Sequence, residues 1–331
     1  METFVSVDVG AKSVVVVQRQ VGRVISSAEF RQTCEGHQAL IKQLKGRKVT
    51  CVVLEATGIY YLDLAVALQR AGLPVAVINP RSFHHFAQLK LSHSKTDAED
   101  AALLAEYGEC MKPALWQAPD DTLMGLRDIG RQINRLTATR TQAKNRLHAL
   151  LSKSTTLTLL IDDEAEGIER LDQRIEKLTR AAVELISQQP QHKQYLANFQ
   201  QAKGIGQASA IALLAELCVL PRELKAPQVS RYAGLDVRLC QSGTSVNKPG
   251  RLSKAGNAYL RSALYMPALS AVRHDPNAKA FYEALHKRGK KKIQALCAVM
   301  RKYLTGLWAC LKLGVPFDSS KLFSQKHLKN A

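Results

Sequence analysis

The sequence predicts an α/β domain, then a coiled coil, then a helical C-terminal domain. Short runs of β-branched residues alternate with helix-like segments up to residue 115. Apolar residues then recur at the alternating three- and four-residue spacing of a coiled coil until residue 190. The remainder has helical patterns separated by Gly-containing turns. We therefore predict three domains, at residues 1–115, 116–190 and 191–331.

Three strand patterns stand close together at the start, at residues 4–9, 13–19 and 21–31. Connections this short predict an antiparallel meander. A helix, a strand, a helix and a strand follow, at residues 37–44, 49–54, 60–71 and 73–78. Another helical pattern starts near Asp97. This order is that of a ribonuclease-H-like fold, which is a mixed sheet with helices packed on it.

The middle of the chain predicts two long antiparallel helices. Two stretches of apolar residues carry the pattern, and they include Leu126, Ile129, Ile133, Leu136, Ile168, Leu171, Ile175 and Leu178. Such spacing is typical of a coiled-coil seam. The Ser- and Thr-rich residues 152–163 are expected to form the tip, and Pro190 is expected to end the second helix. The two helices could pack on each other or form an oligomer interface.

A Gly-Ile-Gly sequence separates two helical patterns, at residues 194–202 and 207–217. It resembles the turn of a helix–hairpin–helix element, in which the backbone N–H groups near Gly204 and Gly206 can hold a phosphate without reading the base sequence. Any helical hairpin can use such a turn. We therefore expect contact with a DNA backbone here, although the motif alone does not establish it.

The positive charge of the chain is large and uneven. The 331 residues carry a net charge of +19. Residues 201–331 hold 22 Lys and Arg against 6 Asp and Glu, which is a net charge of +16. Such a field attracts polyanions, and counterion release from DNA or RNA would make binding depend on salt. We expect nucleic acid as the partner, although general solubility could also account for the charge.

The seven cysteines are scattered, without a Cys-x-x-Cys pair or a Cys/His cluster at zinc spacing. They are expected to be reduced thiols of a cytosolic protein. The first residues have strand-like character rather than that of a signal peptide. No apolar run approaches the roughly 20 residues of a membrane span. The sequence therefore predicts a cytoplasmic, nucleoid-associated protein without a membrane partner.

Four carboxylates stand where a metal-dependent nuclease would need them. Asp8 and Glu55 each end an apolar strand pattern, and Asp97 and Asp100 lie three residues apart at the start of a helix. Residues at this spacing project from the same side of a helix. Carboxylate oxygens are ligands for Mg²⁺, and two such ions can activate a nucleophile and stabilise a leaving oxygen at phosphorus. The set predicts a Mg²⁺ site, with Mn²⁺ as a substitute ion.

Each acid also has a purely structural explanation. Thr96 and Glu99 form a capping-box pattern, and Asp97 in the first helical turn suits the helix dipole. Asp8 could simply precede a turn, and Glu55 could cap the loop that follows it. The metal site is favoured because the four acids occur together, in the order of the fold, on a basic chain.

Residues 241–250 are rich in Gly and Ser and are expected to interrupt the helices as an irregular loop. The hydroxyls of Ser242, Thr244 and Ser245 could attack phosphorus, yet an ordinary flexible loop explains this composition equally well. Ser253 could cap the next helix. Cationic residues beyond the loop are candidate phosphate contacts, namely Arg251, Lys254, Lys290, Lys291 and Lys292. The last three could instead form a solvated basic surface.

Short motifs spread over nearly the whole chain are specific in combination. They include Val7-Asp8-Val9-Gly10, Leu54-Glu55-Ala56-Thr57-Gly58, Lys95-Thr96-Asp97-Ala98-Glu99-Asp100-Ala101, Gly204-Ile205-Gly206, Gln241-Ser242-Gly243 and Ser253-Lys254-Ala255-Gly256. With these motifs the chain resembles the transposases of insertion-sequence family one-hundred-and-ten, the bridge-RNA-guided recombinases.

The resemblance implies a RuvC-like domain, a coiled coil and a C-terminal transposase domain. It implies that the metal-binding acids are Asp8, Glu55, Asp97 and Asp100, and that the nucleophilic serine is Ser242. Donor and target double-stranded DNA are the implied partners, together with a structured non-coding bridge RNA that pairs with both. A homo-oligomer, from dimer to tetramer, is also implied, in which each active site takes its acids from one protomer and its serine from another.

These inferences predict a DNA recombinase, the transposase of an insertion sequence. Ser242 would form a transient phosphoserine link to DNA, with metal at the four acids stabilising the charge at phosphorus. Two alternatives stay open at this point. The acids alone could hydrolyse junction DNA with water, or the chain could be a non-catalytic nucleic-acid-binding scaffold whose acids are structural.

Overall fold

The computed structural model describes residues 1–57, 60–91, 96–242 and 246–323. The chain divides into two compact units, Met1–Ala118 and Pro119–Ala331. Each unit buries hydrophobic clusters made of its own residues. Within the described ranges, no helix combines the length and the apolar character needed to cross a membrane.

The N-terminal unit is built on a five-stranded mixed sheet. Its strands are β1 (Thr3–Val9), β2 (Ser13–Gln20), β3 (Arg23–Arg31), β4 (Cys51–Glu55) and β5 (Val75–Ile78). The strand order is β3-β2-β1-β4-β5, with β1 in the centre. β1 pairs with β2 in antiparallel and with β4 in parallel orientation. The predicted mixed sheet that begins with an antiparallel meander is confirmed.

Helices cover both faces of this sheet. α1 (Cys34–Lys45) and α2 (Tyr61–Arg70) pack on one face, where their leucines contact valines of β1 and β4. α3 (Pro80–Leu89) and α4 (Asp97–Met111) cover the other face, where aromatic side chains of both helices pack with Phe4. The carboxyl end of the central strand is therefore close to the helices of the second face.

The sequence analysis did not predict helix α3. The helix starts at Pro80, and the Asn79 side chain caps it by accepting a hydrogen bond from the Arg81 N–H at 2.9 Å. Only Phe83 and Phe86 are buried along its length. The apolar pattern is therefore sparse, and the Asn-Pro start signal is the feature that could have revealed the helix.

Helix α4 packs unusually close to the sheet because its inner side is made of small residues. Ala101 and Ala105 are fully buried. At Gly108 an added Cβ would lie 2.7 Å from Cγ2 of Val53, so a side chain there would force the helix away from β4. The Ser6 hydroxyl on β1 donates a hydrogen bond to the Ala101 carbonyl at 2.5 Å. These contacts fix the start of α4 beside the end of β1.

The C-terminal unit begins with two long helices, α5 (Asp121–Leu151) and α6 (Thr158–Ser187). Arg146 pairs with Glu164, and Arg140 pairs with Asp172. Arg140 comes before Arg146 on α5, whereas its partner Asp172 comes after Glu164 on α6. The two helices are therefore antiparallel. The prediction that Pro190 ends the second helix was wrong. α6 already ends at Ser187, and Pro190 starts the next helix.

In the described part of this unit, six further helices and a hairpin follow. The helices are α7 (Pro190–Gln200), α8 (Gln207–Leu217), α9 (Ala226–Tyr232), α10 (Ala258–His274), α11 (Pro276–Lys287) and α12 (Lys292–Leu313). A 3₁₀ turn at Ser319–Lys321 follows. The apolar helix α8 is buried on almost every side, where α5 and α10 pack against it, and α12 packs against α9 and α10 in the same cluster.

The Gly- and Ser-rich segment is not an irregular loop in its described residues. β6 (Val237–Ser242) and β7 (Val246–Leu252) form an antiparallel two-stranded hairpin. The prediction of a loop was wrong there because every residue of β6 is exposed. Only Val237 and Leu239 alternate as apolar residues in this exposed strand, which is too short a pattern to predict it.

Candidate active site

Strand geometry places Asp8 and Glu55 on the same face of the sheet. Successive side chains of a strand point to opposite faces. On β1, Asp8 alternates in phase with Ser6, which contacts α4, and on β4, Glu55 alternates in phase with Val53, which also contacts α4. The register pairs the residues just before the two acids, Val7 with Leu54. The two carboxylates therefore lie side by side at the carboxyl ends of parallel strands, on the α4 face.

The first turn of α4 brings the other two acids to this edge. Asp97 is the first residue of the helix, and Asp100 directly precedes Ala101, whose carbonyl is bonded to Ser6 on β1. The structure thus brings the start of α4, with both aspartates, to the strand that carries Asp8.

The capping pattern at this helix start is also present. The Thr96 hydroxyl accepts a hydrogen bond from the Glu99 N–H at 3.3 Å and donates one to the Glu99 carboxylate at 3.0 Å. Thr96 and Glu99 are therefore capping residues. Asp100 is half-buried, takes no part in the cap and remains available to the acid cluster.

The electrostatics of Asp8 reflect all three neighbours. Burial is the largest cause that raises the pKa of Asp8, to about 6. The negative charges of Asp97, Asp100 and Glu55, in that order, add to this rise in pKa. A hydrogen bond from the Val9 backbone lowers the pKa of Asp8 and offsets part of the rise. Asp8 therefore interacts electrostatically with each of the other three acids.

The donor chemistry of this group fits a divalent cation. Carboxylates that disfavour one another's ionisation are stabilised by a nearby positive charge. Oxygen-only ligand sets are those that Mg²⁺ prefers. Among the described residues, no three His, Cys, Asp or Glu side chains stand close enough to coordinate an ion as they are. Binding of an ion would therefore require these side chains to move together.

Thr57 is a residue of this site that the sequence analysis did not single out. Its hydroxyl donates a hydrogen bond to Oε1 of Glu55 at 2.6 Å. This bond fixes one carboxylate oxygen of Glu55 and leaves the other free to bind. Thr57 lies two residues beyond Glu55 in the motif Leu54-Glu55-Ala56-Thr57-Gly58. This spacing is the signal that could have indicated the contact.

Ser242 is the last residue of β6 and is exposed. It pairs with Val246, the first residue of β7, so it lies next to the turn of the hairpin. Thr244 and Ser245 fall outside the described residues. An exposed hydroxyl at the end of a projecting hairpin is accessible to a large substrate such as a DNA strand.

The base of this hairpin is tightly held. Ser253 donates a short hydrogen bond to Asp236 through its hydroxyl, and its N–H donates to the Asp236 carbonyl at 2.9 Å. Ser253 does not cap α10, because Asn257 does so by accepting from the Leu260 N–H at 3.1 Å. Lys254, a candidate phosphate contact, is exposed and has a φ of 50°.

A buried ionic network in the C-terminal unit was also not predicted. Glu216 on α8 is 2% exposed and accepts a hydrogen bond from Nε of Arg131 at 2.5 Å. Arg127 lies 3.6 Å from the same carboxylate, and the Asn257 amide donates to it at 2.6 Å. The network joins α5, α8 and the start of α10. Because the partners lie far apart in the sequence, no local pattern could indicate it.

The structure describes both the glycine turn between α7 and α8 and the run of lysines near the start of α12. Gly204 has a φ of 89°, and an added Cβ would lie 2.6 Å from the Pro267 carbonyl, so packing against α10 already requires glycine there. Gly206 precedes α8 and has open space around its Cα. Lys290, Lys291 and Lys292 are exposed, with the first two between α11 and α12 and the third at the start of α12.

Comparison with known proteins supplies the family. Residues 5–156 match the model of the DEDD transposases of IS110, described as a transposase, and residues 196–283 match the model described as the transposase IS116/IS110/IS902 family. The chain is similar to the pilin gene-inverting protein of Moraxella bovis, with 30% identity over 81% of each chain. The protein of the same name in Moraxella lacunata is equally similar. A putative transposase, y4rJ of Sinorhizobium fredii, is 27% identical over 83% of this chain and 80% of its own.

The two family models match the two parts of the chain that carry the acids and the hairpin, and a relative of 30% identity covers most of both. The resemblance to insertion-sequence family one-hundred-and-ten is thereby confirmed. The chain belongs to the IS110 family of transposases and is an enzyme that recombines DNA.

Proposed function

We propose that this transposase cuts and rejoins DNA through a covalent link between Ser242 and the DNA backbone, with Mg²⁺ held by Asp8, Glu55, Asp97 and Asp100. The observation that carries the metal proposal is the raised pKa of Asp8, about 6, to which all three other acids contribute. The exposed position of Ser242 at the end of β6 supports its role as the nucleophile. Transposases with this set of acids generally use divalent metal ions.

The four acids would hold the ion at the carboxyl end of β1. A bound divalent cation would supply positive charge to the phosphodiester and lower the pKa of a hydroxyl near it. Thr57 would orient Glu55 through the hydrogen bond to its Oε1 atom, which measures 2.6 Å. Asp8 would bind as the ionised carboxylate, and a proton on it would compete with the ion.

Ser242 would act by transesterification. Its Oγ forms a bond to phosphorus, the bond from phosphorus to one deoxyribose oxygen breaks, the serine proton departs, and the leaving oxygen takes up a proton. The phosphodiester is thus exchanged for a phosphoserine ester of similar energy. A deoxyribose hydroxyl of another strand can reverse the step and join the DNA anew without ATP.

The similarity to proteins named for inverting a pilin gene supports a reaction that rejoins what it cuts. An inversion requires two cuts and two rejoinings with no net loss of phosphodiester bonds. A covalent protein–DNA link meets that requirement, whereas hydrolysis with water does not. This favours the serine over water as the attacking group.

We further propose that sequence choice is delegated to a structured bridge RNA that pairs with donor and target DNA. The basic C-terminal residues would bind the phosphates of both nucleic acids, through Arg251, Lys254, Lys290, Lys291, Lys292 and a helix–hairpin–helix turn at Gly204 and Gly206. The antiparallel helices α5 and α6 would act as a coiled coil that assembles dimers and tetramers. Each active site would then combine the acids of one protomer with Ser242 of another.

This function can be tested with DNA that spans the ends of the insertion sequence, by separating the reaction products on a denaturing gel. With Mg²⁺, the wild-type protein should give a DNA band shifted by one covalently bound chain. Ser242→Ala should abolish that band and retain DNA binding, because only the Oγ atom is removed. Ser187→Ala, which removes the hydroxyl of an exposed serine at the end of α6, is the control and should retain the band. Cleaved ends that carry no protein would instead support the water-using endonuclease.

A further inference from the structure

The hairpin that carries Ser242 has two different faces. Directly paired residues of antiparallel strands share a face, as do residues two apart on one strand. Arg238 of β6 pairs with Arg251 of β7, and Ser242 pairs with Val246. Counting in twos along β6 places Arg238, Cys240 and Ser242 on one face. Arg251 joins that face through its pairing with Arg238.

The opposite face is apolar, which supports this assignment. An added Cβ at Gly250 would lie 2.9 Å from Cγ1 of Val237 and 3.2 Å from Cδ2 of Leu239, so these three residues share the other face. Val237 pairs with Leu252, whose side chain packs against the core of the unit. The register shift between Arg238 and Cys240 adds its extra residue to β7 and leaves the alternation of β6 unchanged.

Two guanidinium groups therefore face each other across two strands. Like charges directly opposite in a sheet destabilise the pairing. Both arginines are exposed, and neither side chain makes an ion pair or hydrogen bond with any part of the chain that the structure describes. The arrangement costs the free protein stability, and a bound anion would remove that cost.

We propose that Arg238 and Arg251 form a phosphate clamp for the DNA strand that Ser242 attacks, an inference that rests on the proposed function for the identity of that strand. The planar donor fork of arginine matches the oxygens of a phosphodiester. Four residues along a strand span about 13 Å, which is about the axial rise of four nucleotides in one DNA strand. The clamp would hold the backbone a few nucleotides from the attacked phosphorus and set the direction in which the strand crosses the hairpin.

Salt-dependent DNA binding tests the clamp. The probe is a fluorescent duplex from the end of the element, and the readout is the slope of log K against log salt concentration. The double variant Arg238→Gln/Arg251→Gln should reduce this slope by about 1 to 2, one unit per lost phosphate contact. The matched control is Arg170→Gln/Arg180→Gln, which removes two exposed arginines of α6 from the same unit and should leave the slope unchanged.

A crosslink from Cys240 gives a local readout. Cys240 is exposed and lies between Arg238 and Ser242 on the clamp face. With the other exposed cysteines, Cys34 and Cys110, replaced by serine, a benzophenone attached to Cys240 should crosslink to saturating DNA. The crosslink yield should fall several-fold in the double arginine variant and stay constant in the α6 control.

A charge reversal separates binding from folding. Arg238→Glu places an acid opposite Arg251, so the hairpin gains a cross-strand ion pair and should melt no lower than the wild type, while the salt slope falls. An unchanged slope in the double variant, or a fall in melting temperature of the charge-reversed protein, would overturn the clamp. Ser242→Ala should keep the slope and lose the covalent band. A covalent band that survives in that variant would refute the proposed nucleophile and not the clamp.

Discussion

At the scale of single residues, Asp8 is subject to two opposing requirements. It has to be ionised to bind a cation, yet burial and three neighbouring acids raise its pKa to about 6. In the metal-free protein the ionised form therefore costs stability at neutral pH. A cation bound at the proposed metal site would offset this cost.

Asp8→Asn should raise the free energy of unfolding of the metal-free N-terminal unit by about 1–2 kcal/mol at pH 8, a range that allows for solvent screening of a half-buried group. The pKa of Asp8 is about 6 in the fold against an ordinary value of 3.8, so the gain is full above pH 6 and shrinks as the pH falls towards 3.8. Urea unfolding in a chelator at pH 8 and at pH 4.5 measures this difference. Equal stability of variant and wild type at pH 8 would contradict it.

Added Mg²⁺ or Mn²⁺ should increase the stability of the wild type, which the ionised Asp8 lowers when no metal is bound. The ion should raise the melting temperature of the wild type and have little effect on Asp8→Asn, because the variant lacks one of the ligands. Asp162→Asn, which removes an exposed acid of α6, should respond to the ion as the wild type does.

At the scale of elements, the position of α4 decides whether the acids can meet. Ser6 and Gly108 hold the helix on the sheet, one through a hydrogen bond and the other through the absence of a side chain. Strand ends and a capped helix start were readable in the sequence, since alternating β-branched residues and a Thr-x-x-Glu pattern have direct physical meaning. Helices α3 and α9 and the exposed hairpin were not, because few or none of their residues form a buried periodic pattern.

Gly108→Ala should destabilise the N-terminal unit by about 1–3 kcal/mol, because its Cβ would meet Val53 at 2.7 Å. It should also weaken the melting shift caused by Mg²⁺, since α4 carries two of the acids. Gly167→Ala on α6 is the matched control. No atom lies within 4 Å of its added Cβ, and the change should stabilise its helix by up to about 1 kcal/mol. Thermal unfolding of both variants distinguishes a packing effect from a general effect of glycine.

Glu216→Gln should cost about 3–5 kcal/mol of stability in the C-terminal unit, because it leaves Arg131 and Arg127 without their buried counter-charge. Glu166→Gln breaks an exposed pair with Arg170 on α6 and should cost at most about 0.5 kcal/mol. Chemical denaturation followed by circular dichroism gives both values. Similar small losses in the two variants would contradict the contribution of the buried network to the stability of this unit.

At the scale of the whole molecule, the proposed chemistry draws on residues of both units. The acids belong to Met1–Ala118 and Ser242 belongs to Pro119–Ala331. The sequence could select the acids as candidates because each lies at a predicted strand end or helix start. Ser242 could not be chosen from its residue type, since Thr244 and Ser245 are similar hydroxyls nearby, and only the family resemblance selected it. Glu216 and Arg238 escaped prediction because their partners are distant in the sequence.

The most direct measurement of the central claim is mass spectrometry of protein trapped on nicked DNA from the end of the element. After nuclease and protease digestion in the presence of Mg²⁺, we expect a nucleotide mass on the peptide that contains Ser242 and on no other peptide. We expect that mass to vanish in Asp8→Asn, which removes an acid from the metal site. A nucleotide mass on a different residue, or cleaved DNA without any protein adduct, would contradict the account.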